Sequence, residues 1–306
     1  MIARFLTTCL MACVAIPVAA QPQGNPSELP TTGCRIRVTP SPASWIIAGY
    51  DPFANEEAQG TYSVTYVNDS DGVCAFTPSF ELREPPLGLS DGLEAPLKYA
   101  IVDLTEARDV TPRSGRTFAR NASATISLDP SESRTILYRF VPDTRGVKRD
   151  GTFSQEVTIE AVDQRFNTIG GAPLALGLTV LPSARIGLSG AYTVSGGQAT
   201  VDLGPLREGV APVPLQLRLS STGPYEIDIV SANNGRLRLG SSEWSIPYSV
   251  AIDGQVTNLG APASIANRPE SGLRRDSLPM RFVIGKIDDV RAGSYTDTLS
   301  ISVRAR

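Results

Sequence analysis

The sequence predicts an all-β protein of two β-sandwich domains, of which the second lacks its last strand. Short runs of alternating apolar and polar residues, rich in Val, Ile, Thr and Tyr, are separated by many of the 27 Gly and 24 Pro residues. This composition is typical of half-buried strands joined by turns. No segment shows a convincing helical stripe. In addition, a pattern near the middle of the chain recurs 142 positions later, at the end of the sequence.

The predicted strands are about six residues long, as half-buried strands usually are. They are Tyr62 to Val67, Leu97 to Leu104, Ala124 to Leu128, Gln155 to Ala161, Pro173 to Leu181, Leu215 to Leu219 and Leu299 to Val303. Pro182 separates one strand from the next apolar run and marks the predicted domain boundary. We therefore expect one domain over residues 21–182 and another over 183–306, each long enough to bury one modest core.

The internal repeat aligns Ile136 to Ala161 with Leu278 to Val303 without a gap. The first copy ends in GTFSQEVTIEA and continues through a loop into the predicted strand Pro173 to Leu181. The second copy ends in GSYTDTLSISV and is followed by three residues. The second domain is therefore predicted to be one strand short, and an exposed sheet edge of this kind recruits a strand from another chain.

The last strand is predicted to line a groove that a strand from a partner molecule fills. Because side chains alternate between the two faces of a strand, four apolar residues share its core-facing side. They are Tyr295, Leu299, Ile301 and Val303. Their counterparts in the first copy are Phe153, Val157, Ile159 and Ala161, which the following strand is expected to cover.

Residues Met1 to Ala20 resemble a secretory signal, with Arg4 before an apolar run and Val18-Ala19-Ala20 as the cleavage site. Cleavage would leave Cys34 and Cys74 as an even pair in an oxidising compartment, so we expect a disulfide between them. Such a bridge closes a loop of about 40 residues and contributes roughly 3 to 4 kcal/mol. The alternative is two buried free thiols.

The composition excludes several classes of active site. The chain contains no histidine, which rules out Ser-His-Asp and Cys-His nucleophile activation and the usual zinc sites. We expect no cofactor and no metal. Paired carboxylates stay formally possible, but the 31 acidic residues are scattered among turns. Removing Arg4 leaves 27 of the 28 basic residues against those 31, and a net charge of about −4 argues against nucleic-acid binding.

Residues Arg291 to Val303 resemble the closing strand of spore coat protein U domains, a family that includes subunits of archaic chaperone-usher pili in Gram-negative bacteria. Further similar segments of the second domain are Val201 to Leu206, Ser220 to Tyr225, Ser231 to Leu237 and Ile246 to Tyr248. The first domain is more divergent. It keeps Cys34 and the turn Gly49 to Pro52, but has Tyr66-Val67 where the family has a cysteine.

The resemblance implies an immunoglobulin-like sandwich that is completed by a donor strand. The donor comes first from a periplasmic pilus chaperone and then, at the outer-membrane usher, from the N-terminal extension of an adjacent pilin subunit. The extension of this chain, Gln21 to Gly33, has Leu29 as its one large apolar residue and three prolines, so it is a poor donor. We therefore expect a non-enzymatic tip subunit, in transit through the periplasm and then at the pilus tip on the cell surface.

Two loops are candidates for attachment to an abiotic or host surface. The loop Val162 to Ala172 precedes a strand that runs towards Pro182, so it lies at the far end of the first domain, with Phe166 and Ile169 exposed. Alternatively, Phe166 tucks under the loop and caps the sandwich. The second candidate, Glu84 to Leu89, carries Leu87 and Leu89. Trp45 is expected in the core.

Three alternative functions remain open at this stage. A shaft pilin of the same system would donate its own N-terminal extension to another subunit. A secreted or periplasmic soluble binding protein would consist of two complete sandwiches and be a stable monomer when expressed alone. An enzyme would need a carboxylate pair in a cleft, for which the sequence gives no positive sign.

Overall fold

The computed structural model describes residues 33–116, 124–267 and 272–306. They form 22 β-strands and one 3-10 helical turn, Thr144–Gly146, so the predicted all-β class is confirmed. Those three ranges contain no α-helix. Among the described residues, no helix has the length and apolar character needed to cross a membrane. The predicted signal peptide and the extension up to residue 32 lie outside the described residues.

The first sandwich consists of two five-stranded sheets packed around one core. Its strands are β1 (Ile36–Ser41), β2 (Ser44–Tyr50), β3 (Gly60–Asn68), β4 (Cys74–Leu82), β5 (Tyr99–Asp103), β6 (Arg108–Asp109), β7 (Ile126–Leu128), β8 (Ser133–Pro142), β9 (Gly151–Val162) and β10 (Thr168–Val180). The strand order is β1-β3-β8-β5-β6 in one sheet and β2-β10-β9-β4-β7 in the other.

Aromatic side chains fill the centre of the first sandwich. Trp45 is fully buried, as expected from the sequence, and stacks on Tyr62 with ring centroids 5.1 Å apart. Phe80 meets Trp45 edge-on at 5.9 Å. The predicted disulfide is also confirmed, because Cys34 is bonded to Cys74 and ties the chain before β1 to the start of β4.

Strand β10 closes the first sandwich from within the chain. It pairs antiparallel with β9 along its whole length and parallel with β2 on its other edge. Four of its side chains point into the core and are fully buried: Leu174, Leu176, Leu178 and Val180. Burying an aliphatic side chain contributes about 1.5 to 3 kcal/mol, so β10 is a major source of stability for this sandwich.

The second sandwich has one large sheet and one small sheet around a separate core. Its strands are β11 (Ala184–Gly190), β12 (Thr193–Ser195), β13 (Gln198–Thr200), β14 (Gly209–Val210), β15 (Leu215–Ser221), β16 (Tyr225–Ser231), β17 (Arg236–Arg238), β18 (Ser245–Ile252), β19 (Gln255–Thr257), β20 (Ala263–Asn267), β21 (Arg274–Ile284) and β22 (Leu299–Ala305). The large sheet has the order β11-β15-β21-β18-β17, with β14 beside β21 and β19 beside β18. The small sheet has the order β20-β16-β22.

The two copies of the internal repeat have equivalent strand pairings in the two sandwiches. Strand β21 lies between β15 and β18 as β8 lies between β3 and β5, and β22 pairs with β16 as β9 pairs with β4. However, among the described strands the sheet of β22 has no counterpart of β10 or of β2, so two strands are missing there rather than the one expected. In the first sandwich β2 pairs only with β10 among the described strands. Without such a partner, the chain after β11 forms the exposed hairpin β12–β13 instead.

One predicted loop boundary and the predicted placement of Tyr295 are wrong, and each has a physical reason. Strand β10 begins at Thr168, so the loop before it spans residues 163–167 rather than Val162 to Ala172. Strand β22 begins at Leu299, as the predicted run does, but Tyr295, which was expected to share the core-facing side of this strand, lies outside it. In β9, residues 151–156 pair with β10 on one edge. On the other edge these residues form a single bridge, between Ser154 and Ser90. The corresponding residues 293–298 have no such neighbour among the described strands and therefore do not extend β22.

Gly170 provides a test of how β10 fits against β1. A Cβ atom at this position would overlap the backbone carbonyl oxygen of Ile36, whereas a Cβ at Gly72 would meet open space. We expect Gly170→Val to destabilise the first sandwich by about 1 to 3 kcal/mol, the usual cost of overpacking, and Gly72→Val to change little. Urea unfolding followed by Trp45 fluorescence in a Trp244→Phe background measures both. Equal stability of the two variants would contradict the packing.

Candidate functional site

The outer edge of β22 carries unpaired backbone groups. One edge pairs with β16 from Leu299 opposite Ser231 to Ala305 opposite Tyr225, and no described residue pairs with the other edge along β22. The backbone N–H of Ala232 donates to the carbonyl of Thr298 at 2.9 Å, so the even-numbered residues direct their polar groups to β16. Because these directions alternate in an antiparallel ladder, the odd-numbered residues 299, 301 and 303 direct theirs to the open edge.

The core-facing side chains of β22 are incompletely covered. Leu299, Ile301 and Val303 are only half-buried. Their counterparts in β9 are Val157, Ile159 and Ala161, each 0% exposed. The first sandwich has β10 over these side chains and the second sandwich has no described strand there, which accounts for the difference.

The apolar strip between the neighbouring strands β11 and β22, which no described strand covers, is called the groove below. It is lined by five half-buried side chains that pack against the second core: Ile186, Leu188, Leu299, Ile301 and Val303. Tyr295 is also half-buried against this core, and its hydroxyl donates to the carbonyl of Arg291 at 2.7 Å. Three of the four predicted groove residues therefore lie on the open strand, and Tyr295 lies in the segment just before it.

Asp297, just before β22, is hydrogen-bonded to residues of β16 and β18, on the side away from the groove. Its carboxylate accepts hydrogen bonds from the hydroxyls of Ser231 and Tyr248, both at 2.5 Å, and from the backbone N–H of Asn233 at 2.9 Å. Burial, together with the hydrogen bond to Asp297, raises the pKa of Tyr248 above its usual value. This role of Asp297 was not predicted from the sequence, although an aspartate within an apolar alternation is a visible signal.

Glu226 on β16 binds the two arginines at the other end of β22. Its carboxylate accepts hydrogen bonds from the guanidinium groups of Arg306 at 2.6 Å and Arg304 at 2.7 Å. Arg306, followed by Arg304, holds the pKa of Glu226 below its usual range. Both ends of the strand are thus tied to the rest of the second sandwich, while its middle borders the groove.

The groove has a defined direction. The chain enters the second sandwich at Ala184, which pairs with Ser221 at one end of β15. Tyr225 follows a short turn later and pairs with Ala305, so the end of β22 lies at this entry end and Leu299 lies at the opposite end. A strand antiparallel to β22 would therefore run away from the entry end.

The loop between β9 and β10 is a compact turn organised by Asp163. Its carboxylate accepts hydrogen bonds from the backbone N–H groups of Arg165 at 2.8 Å and Asn167 at 2.7 Å, and from the side-chain amide of Asn167 at 3.0 Å. The hydrogen bonds from Asn167 hold the pKa of Asp163 below its usual value. A short loop with these bonds has few alternative conformations.

Phe166 projects from this turn into solvent. Its side chain is 64% exposed and its φ is +67°, a left-handed conformation that is uncommon for a residue other than glycine. Arg116 connects this turn to the buried Glu160. Its guanidinium donates to the carbonyl of Phe166 at 3.2 Å and forms an ion pair with the buried Glu160 at 2.7 Å. The expected exposure of Phe166 is therefore observed, and it does not cap the sandwich.

The other three predicted surface residues are less accessible. Ile169 lies within β10 and is half-buried against the first core. Leu87 is also half-buried against that core. Leu89 is 0% exposed and pairs with Leu97, so its prediction as a surface-contact residue is wrong. The segment folds back because the Gln155 side chain binds two backbone groups within residues 86–88.

Comparison with known proteins identifies no sequence family. No protein-family model matches the chain, and no curated protein matches it either. Similar solved structures include the complex described as the CsuC-CsuE chaperone-tip adhesion subunit of archaic chaperone-usher Csu pili of Acinetobacter baumannii. The identity is 13%, the match covers 89% of this chain and 99% of that one, and the TM-score is 0.43.

Two further solved structures carry similar descriptions. The CupB6 tip adhesin from Pseudomonas aeruginosa is 10% identical over 88% of this chain and 94% of its own, with a TM-score of 0.40. CfaE, the adhesive subunit of the CFA/I fimbria of enterotoxigenic Escherichia coli, is 12% identical over 88% and 81%, with a TM-score of 0.29. Because all three TM-scores are below 0.5, the case for function depends on the groove and on the turn of residues 163–167, called the distal turn below.

The matched residues Ile159 and Ile301 provide a test of the groove. We expect Ile159→Ala to lower the free energy of unfolding of the first sandwich by about 2 to 5 kcal/mol, as for fully buried isoleucines. Ile301→Ala should cost the second sandwich clearly less, because Ile301 is only half-buried. Hydrogen exchange in increasing urea reports on each sandwich separately. An equal cost at both positions would show that Ile301 is covered.

The pKa of Asp163 predicts how the distal turn responds to acid. The folded turn binds the ionised carboxylate, so the turn is fully formed at neutral pH and loosens as the pH falls through a pKa below 3.8. The amide chemical shifts of Arg165 and Asn167 should stay constant from about pH 7 to 5 and move only below about pH 4. In Asp163→Ala this acid transition should be absent. A transition near pH 6 in the unmodified protein would contradict the assignment.

Proposed function

We propose that this protein is a non-enzymatic tip adhesin of a chaperone-usher fibre. In this proposal the second sandwich accepts a donor strand and the first sandwich attaches to a surface. The observation that carries it is the contrast between two strands of one repeat. In β9 the core-facing residues are covered by β10, whereas in β22 they border an open groove beside an unpaired edge.

A strand from another molecule would both pair with the open edge of β22 and cover the apolar side chains of the groove. Its backbone supplies partners for the N–H and C=O groups of residues 299, 301 and 303, and its side chains cover the apolar lining. The resemblance of residues 291–303 to spore coat protein U domains supports a periplasmic chaperone as the first donor and an adjacent pilin subunit as the second. Export, assembly at an outer-membrane usher and a location on the cell surface follow from the same proposal.

The direction of the groove supports a position at the end of the fibre. A donor strand antiparallel to β22 leaves the groove at the end away from Ala184, so the neighbouring subunit would lie beyond that end of the second sandwich. In the first sandwich the corresponding place beside β9 is already occupied by β10. The segment Gln21 to Gly33, with three prolines and one large apolar residue, is unsuited to fill the groove of another subunit.

The distal turn is the proposed surface-contact site of the first sandwich. It precedes β10, a strand of 13 residues that ends at the opposite end of the sandwich near Leu181. Phe166 stands exposed on a turn whose backbone is fixed by Asp163 and Arg116. A rigidly held apolar side chain loses little conformational entropy on contact, which favours attachment to apolar surfaces.

The proposal predicts that the chain needs a donor strand but does not supply one. Expression alone should give aggregated protein, because the groove is open to water, whereas co-expression with a matching chaperone should give a soluble complex. A synthetic peptide of residues 21–33 should not bind to that protein after the chaperone is released, as measured by calorimetry. Binding of the peptide would favour a shaft pilin. A stable monomer without any partner would favour a soluble binding protein.

Substitution of Phe166 tests the surface-contact site. We expect Phe166→Asp to reduce the retention of the chaperone-bound protein on polystyrene by at least about fivefold, because a charged group cannot make the apolar contact. Val256→Asp is the matched control, since Val256 is 63% exposed in the second sandwich. Both variants should keep the melting temperature of the parent. Equal retention of the two variants would remove Phe166 from the site.

A further inference from the structure

The first sandwich contains a filled version of the groove and thereby indicates what the second one accepts. We infer that the strand accepted by the groove runs antiparallel to β22, with small residues first and large aliphatic residues at every second position after them, in the order found in β10. This inference rests on the proposed function and deepens it. It specifies the direction of the partner strand, its register and the sizes of its side chains.

The register follows from the pairing of β9 with β10. Leu174 lies opposite Val157, and Leu178 lies opposite Phe153. The repeat places Leu299 where Val157 lies and Tyr295 where Phe153 lies. The partner strand should therefore carry large aliphatic residues opposite positions 299, 297 and 295, as β10 does with Leu174, Leu176 and Leu178.

The small residues at the start of β10 are required by its close approach to β1. At the start of β10, Gly170 lies so close to the carbonyl of Ile36 on β1 that any side chain would collide with it. Two residues later Ala172 faces the first core. Strand β11 occupies the place of β1, because Ala184 pairs with Ser221 as Ile36 pairs with Asn68. The partner strand should thus be small where it passes β11, opposite Val303 and Ile301.

The position of Tyr295 agrees with this order. It is half-buried against the second core at the end of the groove away from Ala184, and it offers a large apolar surface beside the last positions of the partner strand.

A single-chain variant tests the inference. Arg304 occupies the repeat position of Val162, so Ala305 and Arg306 are replaced by a second copy of residues 163–181, which contains the turn and β10. We expect a soluble monomer, whereas the parent chain expressed alone should aggregate. The backbone amides of Leu299, Ile301 and Val303 should become protected from hydrogen exchange, because they point to the open edge.

Two control copies separate the possible outcomes. In the first, the copy of residues 168–181 is reversed in order, so that the large residues come first. In the second, the same 14 positions are filled by alternating Val and Thr. Protection by the β10 copy and not by the reversed copy is the expected result. Equal protection by the reversed copy would overturn the inferred order and leave the strand-accepting groove intact. If none of the three copies protected these amides, the proposed function itself would fail.

Discussion

The structure depends on one constraint, namely that every backbone N–H and C=O group of a buried strand needs a hydrogen-bonding partner. In the first sandwich this need is met by β10, which inserts between β9 and β2 and pairs with both. In the second sandwich the equivalent strand β22 pairs with described residues on one edge only. The same constraint explains why the segment before β22 is not a strand, and why the chain after β11 forms a separate hairpin.

The open strand is held in place by polar contacts at its ends. Asp297 receives hydrogen bonds from two hydroxyls and a backbone N–H, and Glu226 is clamped by two arginines. These contacts fix the position of β22 without covering its apolar side chains. A preformed edge of this kind loses less conformational entropy when a partner strand docks, which suits a subunit that must accept a strand during assembly.

Attachment and assembly are assigned to opposite parts of the chain in the proposed function. The proposed contact residue Phe166 stands on a turn whose geometry is set by Asp163 and supported by Arg116 and Glu160. These residues belong to the closed sandwich, so the turn does not depend on whether the groove is filled. A closed first sandwich can therefore present its surface in the same form before and after assembly.

Much of this architecture was encoded in local sequence patterns. The period-two alternation identified the strands and the face of β22 that points to the core, and the repeat placed β22 where β9 lies, because each strand records its own burial in its sequence. The pairing of Cys34 with Cys74 and the burial of Trp45 were likewise predictable. Only the tertiary structure decided that Leu89 is buried, that Phe166 points outward, and that the described part of the second sandwich has no counterpart of β2 as well as none of β10. These features depend on contacts between residues far apart in the chain, such as Gln155 with the segment 86–88 and Arg116 with Phe166. No local pattern specifies such contacts, since they arise only when the sheets pack together.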